Sequence, residues 1–282
     1  MLICIDIGNT HTHYGLVNTD ADATANVAQT AKSADEAKPR PIQNRESKIQ
    51  NLYTRTLDDP ATGIAPQITA FLARHPAAIE GLAFCSVVPA ATERLRAVLA
   101  REKFPLPVLH LTHGKKLGVP VTYPRPAEIG QDRLANAAAA KLLGPLPAIV
   151  IDMGTAVTFD IITRAHGYEG GIIAPGVELM RRYLHEQTAQ LPLLDESIDV
   201  TGAVGHSTIE AMRIGTVVGF GGMIQALLDA VLTDLARRGE KNPRIYATGG
   251  SAALLRDRLK VPFDIVSELT LRGLAATWRL NS

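Results

Sequence analysis

The sequence predicts an α/β protein made of two related halves, each a mixed sheet flanked by helices. Three observations predict it. An apolar run that carries an Asp near its end, then a Gly and a hydroxyl residue, occurs twice, as Ile3-Cys4-Ile5-Asp6-Ile7-Gly8-Asn9-Thr10 and as Ile149-Val150-Ile151-Asp152-Met153-Gly154-Thr155-Ala156. The copies begin 146 residues apart in a chain of 282, the spacing that duplication of one strand-rich unit leaves behind. In each half, short β-branched runs come first and helical spacings follow, the order of a sheet that is then covered by helices.

The strands are expected at 2–7, 13–17, 51–56, 82–87 and 108–111, and again at 148–152, 156–162, 171–174, 244–248 and 263–266, each bounded by Gly, Pro or Asp. Helices are expected at 66–74, 89–103, 132–143, 175–191, 207–238, 251–259 and 270–279, where apolar residues recur three and four apart and several segments open on Pro or Ser. Residues 18–50 do not fit either pattern. Only Val27, Ile42 and Ile49 are large and apolar there, too little to offset the entropy of ordering the segment, so a mobile insertion between two strands is expected, with a lid or partner-binding arm as the functional alternative.

Composition excludes several classes. With 29 Lys and Arg against 28 Asp and Glu, the net charge of +1 offers no field for a polyanion or an acidic membrane, so neither nucleic acid nor a membrane is an expected partner. Cys4 and Cys85 sit in apolar runs and read as buried free thiols, in keeping with a reducing cytoplasm. Met1 leads straight into a strand, without the basic and apolar regions of a secretory signal. The longest apolar stretch, residues 214–228, is 15 residues long with four glycines. That is short of the roughly 18–20 that a membrane span needs, so it reads as a buried helix.

Five constellations can carry chemistry. In Asp6-Ile7-Gly8-Asn9-Thr10-His11-Thr12-His13, Gly8 permits a tight turn and close approach of a phosphate, Asn9 and Thr10 can donate, and Asp6 can hold a hydrated Mg²⁺. The same residues also make a plain hairpin turn. His11 and His13 read as surface or packing residues, since no Cys or Glu completes a zinc set. The second copy, Asp152 to Asp160, is expected to bring Asp152 to a strand end facing the same gap as Asp6, where two carboxylates require a metal or a shared proton. A capped turn is its alternative.

The third runs from Tyr123 to Asn136. Pro124 and Pro126 keep the backbone extended, and Gly130 admits a helix whose first turn holds Asp132 and Arg133. A carboxylate at a helix N-terminus is favoured in its ionised form, although Asp132 is also an ordinary first-turn acid. Thr248-Gly249-Gly250-Ser251 ends a strand in paired glycines, suited to a phosphate, a nucleobase or a simple turn. Ser207 and Glu210 have the spacing of a capping box that opens a long helix. No GxxxxGK[ST] loop occurs, so any phosphate must be held by turns and metal rather than by a cradling lysine.

Taken in order, these segments resemble type III pantothenate kinase, the bacterial family that begins coenzyme A synthesis. The matching stretches are Asp6-Ile7-Gly8-Asn9-Thr10, Ser86-Val87-Val88-Pro89, Gly130-Gln131-Asp132-Arg133, Asp152-Met153-Gly154-Thr155-Ala156, Gly170 to Gly176, Gln190-Leu191-Pro192 and Thr248-Gly249-Gly250. The resemblance implies two ribonuclease-H-like domains, 1–120 and 121–282, of the acetate and sugar kinase, Hsp70 and actin superfamily, with ATP in the cleft between them. It implies transfer of the γ-phosphate of MgATP to the primary hydroxyl of pantothenate.

By the same resemblance, Asp6, Ile7, Gly8, Asn9, Thr10, His11, Thr12 and His13 form the first phosphate loop and Thr155 contacts ATP. Asp152 binds a monovalent cation, K⁺ or NH₄⁺. Tyr123, Gly130, Gln131, Asp132, Arg133 and Thr208 line the pantothenate site, with Asp132 as catalytic base. Family members are homodimers whose substrate site borders the subunit interface, which places the 207–238 helix near a two-fold axis. Two departures stand out. Gln131 occupies a position where the family more often has Ala, and the polar stretch after Asn18 is longer than usual. At an ordinary carboxylate pKa of about 3.9, Asp132 is too weak to deprotonate an alcohol beforehand, so it aligns the hydroxyl and accepts the proton late. Arg133 meets the substrate carboxylate or stabilises the site. Another phosphotransferase of the superfamily, or a regulatory factor without catalysis, are the rival readings.

Overall fold

The computed structural model describes residues 1–19, 49–55, 60–74, 78–255 and 258–282. Most of the 18–50 segment therefore lies outside the described residues. Among the described residues ten strands and six α-helices follow in order: β1 Leu2–Ile7, β2 Thr12–Val17, β3 Ile49–Arg55, α1 Pro60–Arg74, β4 Gly81–Ser86, α2 Pro89–Arg101, β5 Val108–His110, α3 Gln131–Leu143, β6 Ala148–Met153, β7 Ala156–Thr163, β8 Gly167–Pro175, α4 Val177–Glu186, α5 Thr208–Arg237, β9 Arg244–Thr248, β10 Asp264–Ile265 and α6 Leu269–Asn281.

The strands form two five-stranded sheets, ordered β3-β2-β1-β4-β5 and β8-β7-β6-β9-β10. In each, the first strand pairs antiparallel with the second and parallel with the fourth, and the fourth pairs parallel with the fifth. Both sheets therefore have the order 3-2-1-4-5, with the same senses for the first, second, fourth and fifth strands. The ribonuclease-H-like topology is present twice, as the duplicated Asp-x-Gly run predicts. Even the exposure pattern repeats, with Asp6 and Asp152 the half-buried residues of otherwise buried strands.

Packing divides the chain into two compact units. The first comprises Met1–Pro145, His166–Glu169 and Glu268–Ser282, and the second Leu146–Ala165 and Gly170–Ser267. By this division α3 and α6 lie with the first sheet. In the first unit, Ile3, Ile5, Ile7, Leu82 and Phe84 pack with Ile68, Phe71, Leu95 and Leu99 of α1 and α2. Strand alternation turns Cys4, Asp6, Ala83 and Cys85 to the opposite face, the side of α3 and α6. Those two helices approach closely: a Cβ on Gly273 would overlap the Ala135 carbonyl, and the buried Thr270 hydroxyl donates to Asn136 at 3.1 Å. In the second unit, Ile149, Ile151, Val157 and Phe159 pack against Phe220, Ile224 and Leu228 of α5.

Three expectations are corrected here. The helix expected to reach residue 191 ends at Glu186, where Thr188 donates to the Leu184 carbonyl at 2.7 Å and His185 meets the Leu191 carbonyl at 2.8 Å. Residues 252–255 form a 3-10 turn rather than the start of a full α-helix. The apolar 214–228 segment belongs to a 30-residue helix that is only partly buried, with Val218 exposed by 53%. By length and composition alone this helix is long and apolar enough to cross a membrane.

Candidate active site

In the first unit the strand ends converge on Asp6. Its turn, residues 8–11, is closed by the Gly8 N–H donating to the His11 carbonyl at 2.9 Å, and a Cβ on Gly8 would stand 3.0 Å from that oxygen. Asn9, Thr10 and His11 are exposed, whereas Ile7 and Thr12 are fully buried and can offer a ligand only their backbone. His13 lies opposite Asp6 in the hairpin, and its ring stands 3.9 Å from Glu268. Burial lowers the His13 pKa and raises that of Glu268, so this is a polar contact rather than a strong ion pair.

Beside Asp6 in parallel register stands Cys85, whose thiol donates to the Asp6 carboxylate at 3.2 Å. Burial first, then the nearby carboxylates of Asp6 and Asp132, push the Cys85 pKa well above its ordinary value. The thiol is thus a neutral donor that feels both acids. Cys4 is likewise buried and free.

Asp132 occupies the first turn of α3, which begins after Gly130. The Arg133 N–H donates to its Oδ1 at 2.8 Å. A Cβ on Gly130 would come within 2.5 Å of the same oxygen, so a larger residue there would push the carboxylate from the position it holds. Burial raises the Asp132 pKa, opposed by the Arg133 N–H and the Arg133 charge. The ordinary carboxylate value expected from sequence is therefore corrected upward, toward a better proton acceptor. Ahead of the helix, the 120–122 segment runs along Tyr168: the Tyr168 N–H donates to the Pro120 carbonyl at 2.9 Å and the Thr122 N–H to the Tyr168 carbonyl at 3.0 Å. The Arg133 guanidinium lies 6.0 Å from the centre of the buried Tyr168 ring. Tyr168 thereby links Arg133 to the extended stretch that leads into Tyr123.

The second unit holds the other carboxylate. Asp152 is half-buried near the end of β6, opposite Thr158 and beside Thr248 in parallel register. The turn that follows, Gly154 and Thr155, is exposed and closed by the Gly154 N–H donating to the Ala156 carbonyl at 3.1 Å. Two glycines approach this turn too closely for any side chain. A Cβ on Gly176, which precedes α4, would overlap the Gly154 and Thr155 carbonyls, and one on Gly249 would lie 2.5 Å from the Met153 oxygen. Gly249 also has φ of +89°, a conformation natural only to glycine. Thr208 is exposed in the first turn of α5, where half of the expected capping box is formed: the Ser207 hydroxyl accepts from the Glu210 N–H at 3.2 Å, while the Glu210 carboxylate accepts at 2.7 Å from the N–H of His206, the residue before the cap.

The structure thus gathers the Asp6 turn, Tyr123 and Gly130 to Arg133 in one unit, and Asp152, Thr155 and Thr208 in the other. Among the described residues no group of three or more His, Cys, Asp or Glu is placed to hold a metal ion. Sequence reasoning missed Cys85 as a partner of Asp6, Tyr168 as the platform for Arg133, and the link from Gln131 to Ser86 and His110. Only strand register exposes the first of these.

The sequence pattern of the family described as type III pantothenate kinase matches residues 2–230. A type III pantothenate kinase of Methylacidiphilum infernorum is 41% identical over 197 residues, covering 70% of this chain and 69% of that protein. Another, from Streptomyces avermitilis, is 33% identical over 291 residues, covering 100% and 98%. Among solved structures, a Campylobacter jejuni protein described as a Baf family transcriptional activator aligns with a TM-score of 0.56 at 16% identity. It covers 98% of this chain and 97% of its own, and it bears on the fold alone. A duplicated ribonuclease-H-like fold, paired Asp-x-Gly turns, an acidic helix start and these relatives agree: the chain belongs to the type III pantothenate kinase family.

Proposed function

We propose that this member of the family, an ATP-dependent pantothenate kinase of coenzyme A biosynthesis, uses Asp132 as the base that takes the proton of the primary hydroxyl of pantothenate. The observation that supports it best is the Asp132 carboxylate itself: partly buried, raised in pKa, anchored by the Arg133 N–H, and near enough to the Asp6 strand end to act on Cys85. The hydroxyl oxygen forms a bond to the γ-phosphorus as the bond from that phosphorus to the β–γ bridging oxygen breaks. The proton passes to Asp132 late, and 4′-phosphopantothenate and ADP leave. Tyr123, Gly130 and Arg133 line the pantothenate site, the 8–11 turn and Thr155 hold ATP, and Thr208 completes the substrate contacts.

The ions belong to the same proposal. Asp6, a single hard carboxylate at a strand end, suits Mg²⁺ that arrives with ATP and keeps several waters. Asp152 holds the monovalent cation, K⁺ or NH₄⁺. Together these charges offset the negative charge of the transferring phosphoryl group. The protein acts in the cytoplasm as a homodimer paired through α5, as the family resemblance implies. Gly215, Gly219 and Gly222 have open space above the backbone, and Val218 beside them is exposed, so a second helix can approach closely.

The test is product formation from pantothenate and MgATP beside a panel of sugars, acetate and polyphosphate, with Asp132→Asn in parallel. Phosphopantothenate formed by the parent and lost in the variant supports the reading. Phosphorylation of another acceptor with pantothenate untouched refutes it.

A further inference from the structure

Gln131 is the first residue of α3 and immediately precedes Asp132. Its side-chain carbonyl is the meeting point of two donors: the Ser86 backbone N–H at 2.9 Å and the His110 Nε2 at 2.9 Å. On the other side of the His110 ring, Nδ1 stands 2.9 Å from the Arg96 guanidinium. A guanidinium only donates, so His110 Nδ1 accepts and its Nε2 carries the proton that goes to Gln131. The ring is held flat against Phe84, centroids 4.4 Å apart and planes within 3°, and Arg96 is held in turn by Glu93 at 2.9 Å. Every donor and acceptor in this row is consistent with one neutral tautomer of His110.

The other end of the row reaches the phosphate loop. Ser86 lies beside Ile7 in register, the Val87 N–H donates to the Ile7 carbonyl at 3.0 Å, and Cys85 donates to Asp6. One side-chain oxygen therefore ties the start of the helix bearing Asp132 to the strand end bearing Asp6's partner. We infer that Gln131 is a positioning residue, whose carbonyl, oriented by neutral His110 and Arg96, fixes the Asp132 carboxylate relative to the Asp6 turn. The inference rests on the assignment of Asp132 as base. It predicts an effect on turnover because small misplacements of a reacting group are costly even where binding survives.

His110 also makes the device sensitive to acid. The charged groups that face it are Arg96 and Glu93 from α2 and Lys115 from the loop after β5, with Gln131 of α3 as its neutral partner. Burial, Arg96 and Lys115 lower its pKa, against Gln131 and Glu93, so the ring is neutral at neutral pH. Protonation would set a second N–H against the Arg96 guanidinium and break the row.

The experiment compares Gln131→Met, which keeps the length and loses the acceptor, with His110→Phe, which keeps the stack on Phe84 and loses both nitrogens. The double variant and Asp132→Asn complete the set. The expected result is a fall in kcat of about 5- to 20-fold in each single variant, with KM for ATP within about twofold, and a double variant no worse than Gln131→Met. In the parent, the acid limb of log kcat against pH steepens beyond the slope of one proton, and in His110→Phe it returns to one. A kcat for Gln131→Met within about twofold of the parent, even with a lowered Tm, overturns the inference, because that pattern is a stability effect only. So do losses that multiply in the double variant. Full turnover in Asp132→Asn would instead remove the reading on which the inference rests.

Discussion

The two halves of this chain share a scaffold and differ in what surrounds the shared carboxylate. In the first, Asp6 has a thiol beside it in register, and the next strand end leads through Ser86 and Gln131 to a second acid, Asp132. In the second, Asp152 has Thr248 beside it, and the neighbouring turns contribute glycine backbone: Gly176 and Gly249, each without room for a Cβ. Side-chain acids and donors elaborate one copy, and close backbone approach elaborates the other. Duplication of a strand and turn thus supplied two equivalent anchor points, and in the proposed function the first carries the proton acceptor beside an ATP turn and the second the monovalent cation.

The largest expected effect breaks that division on its acidic side. Asp132→Asn is expected to lower kcat by about 10²–10⁴-fold, read by phosphopantothenate formation. The same change is expected to raise Tm at pH 7–8 by about 1–3 °C, since it removes a carboxylate that burial penalises when ionised. The sign follows from the raised folded-state pKa. The stability that Asp132 contributes is fully present below its unfolded pKa of about 3.9 and is lost as pH rises through the folded value, so the advantage of Asn grows with pH and vanishes in acid.

On the backbone side, Gly249→Ala combines a positive φ with overlap on Met153. It is expected to cost about 2–4 kcal/mol by urea unfolding. Gly250→Ala, with open space above its Cα, is expected to cost much less; equal losses would erase the claim that the second turn is built on close approach.

The smallest effect concerns a feature common to both halves. Thr12 and Thr216 are fully or almost fully buried, and among the described residues neither hydroxyl has a hydrogen-bond partner. Replacement of either by Val removes a desolvated polar atom at constant shape, with an expected rise in Tm of about 1–2 °C and unchanged turnover. A loss of ATP affinity in Thr12→Val alone would show that its hydroxyl, and not only its backbone, serves the phosphate loop.

The fold was largely legible because its strands are short β-branched runs with clear boundaries; β1 and β9 fall where the pattern places them. Helix ends were less so, for local reasons. Pro66 reads as a helix start, yet it lies one turn and more inside a helix that opens on Pro60, since proline marks a first turn and an interior break alike. Side chains that capture backbone carbonyls, as Thr188 does, end a helix without altering its apolar spacing. In the site, Asp6 and Asp132 could be picked out as carboxylates at a turn and at a helix start. Their connection through Cys85, Ser86 and Gln131 could not, because parallel register joins residues some eighty positions apart and leaves no local pattern. The return of α6 to the first unit is hidden in the same way; Gly273 matters only once Ala135 is known to lie against it.

The division of labour is tested most directly by measuring ATP affinity by calorimetry and turnover in K⁺ and in Na⁺ for Asp132→Asn and Asp152→Asn side by side. The account predicts that Asp132→Asn binds MgATP like the parent and transfers no phosphate in either salt, while Asp152→Asn retains transfer at a reduced rate and no longer distinguishes K⁺ from Na⁺. Loss of MgATP binding in Asp132→Asn, or an intact K⁺ response in Asp152→Asn, would contradict it.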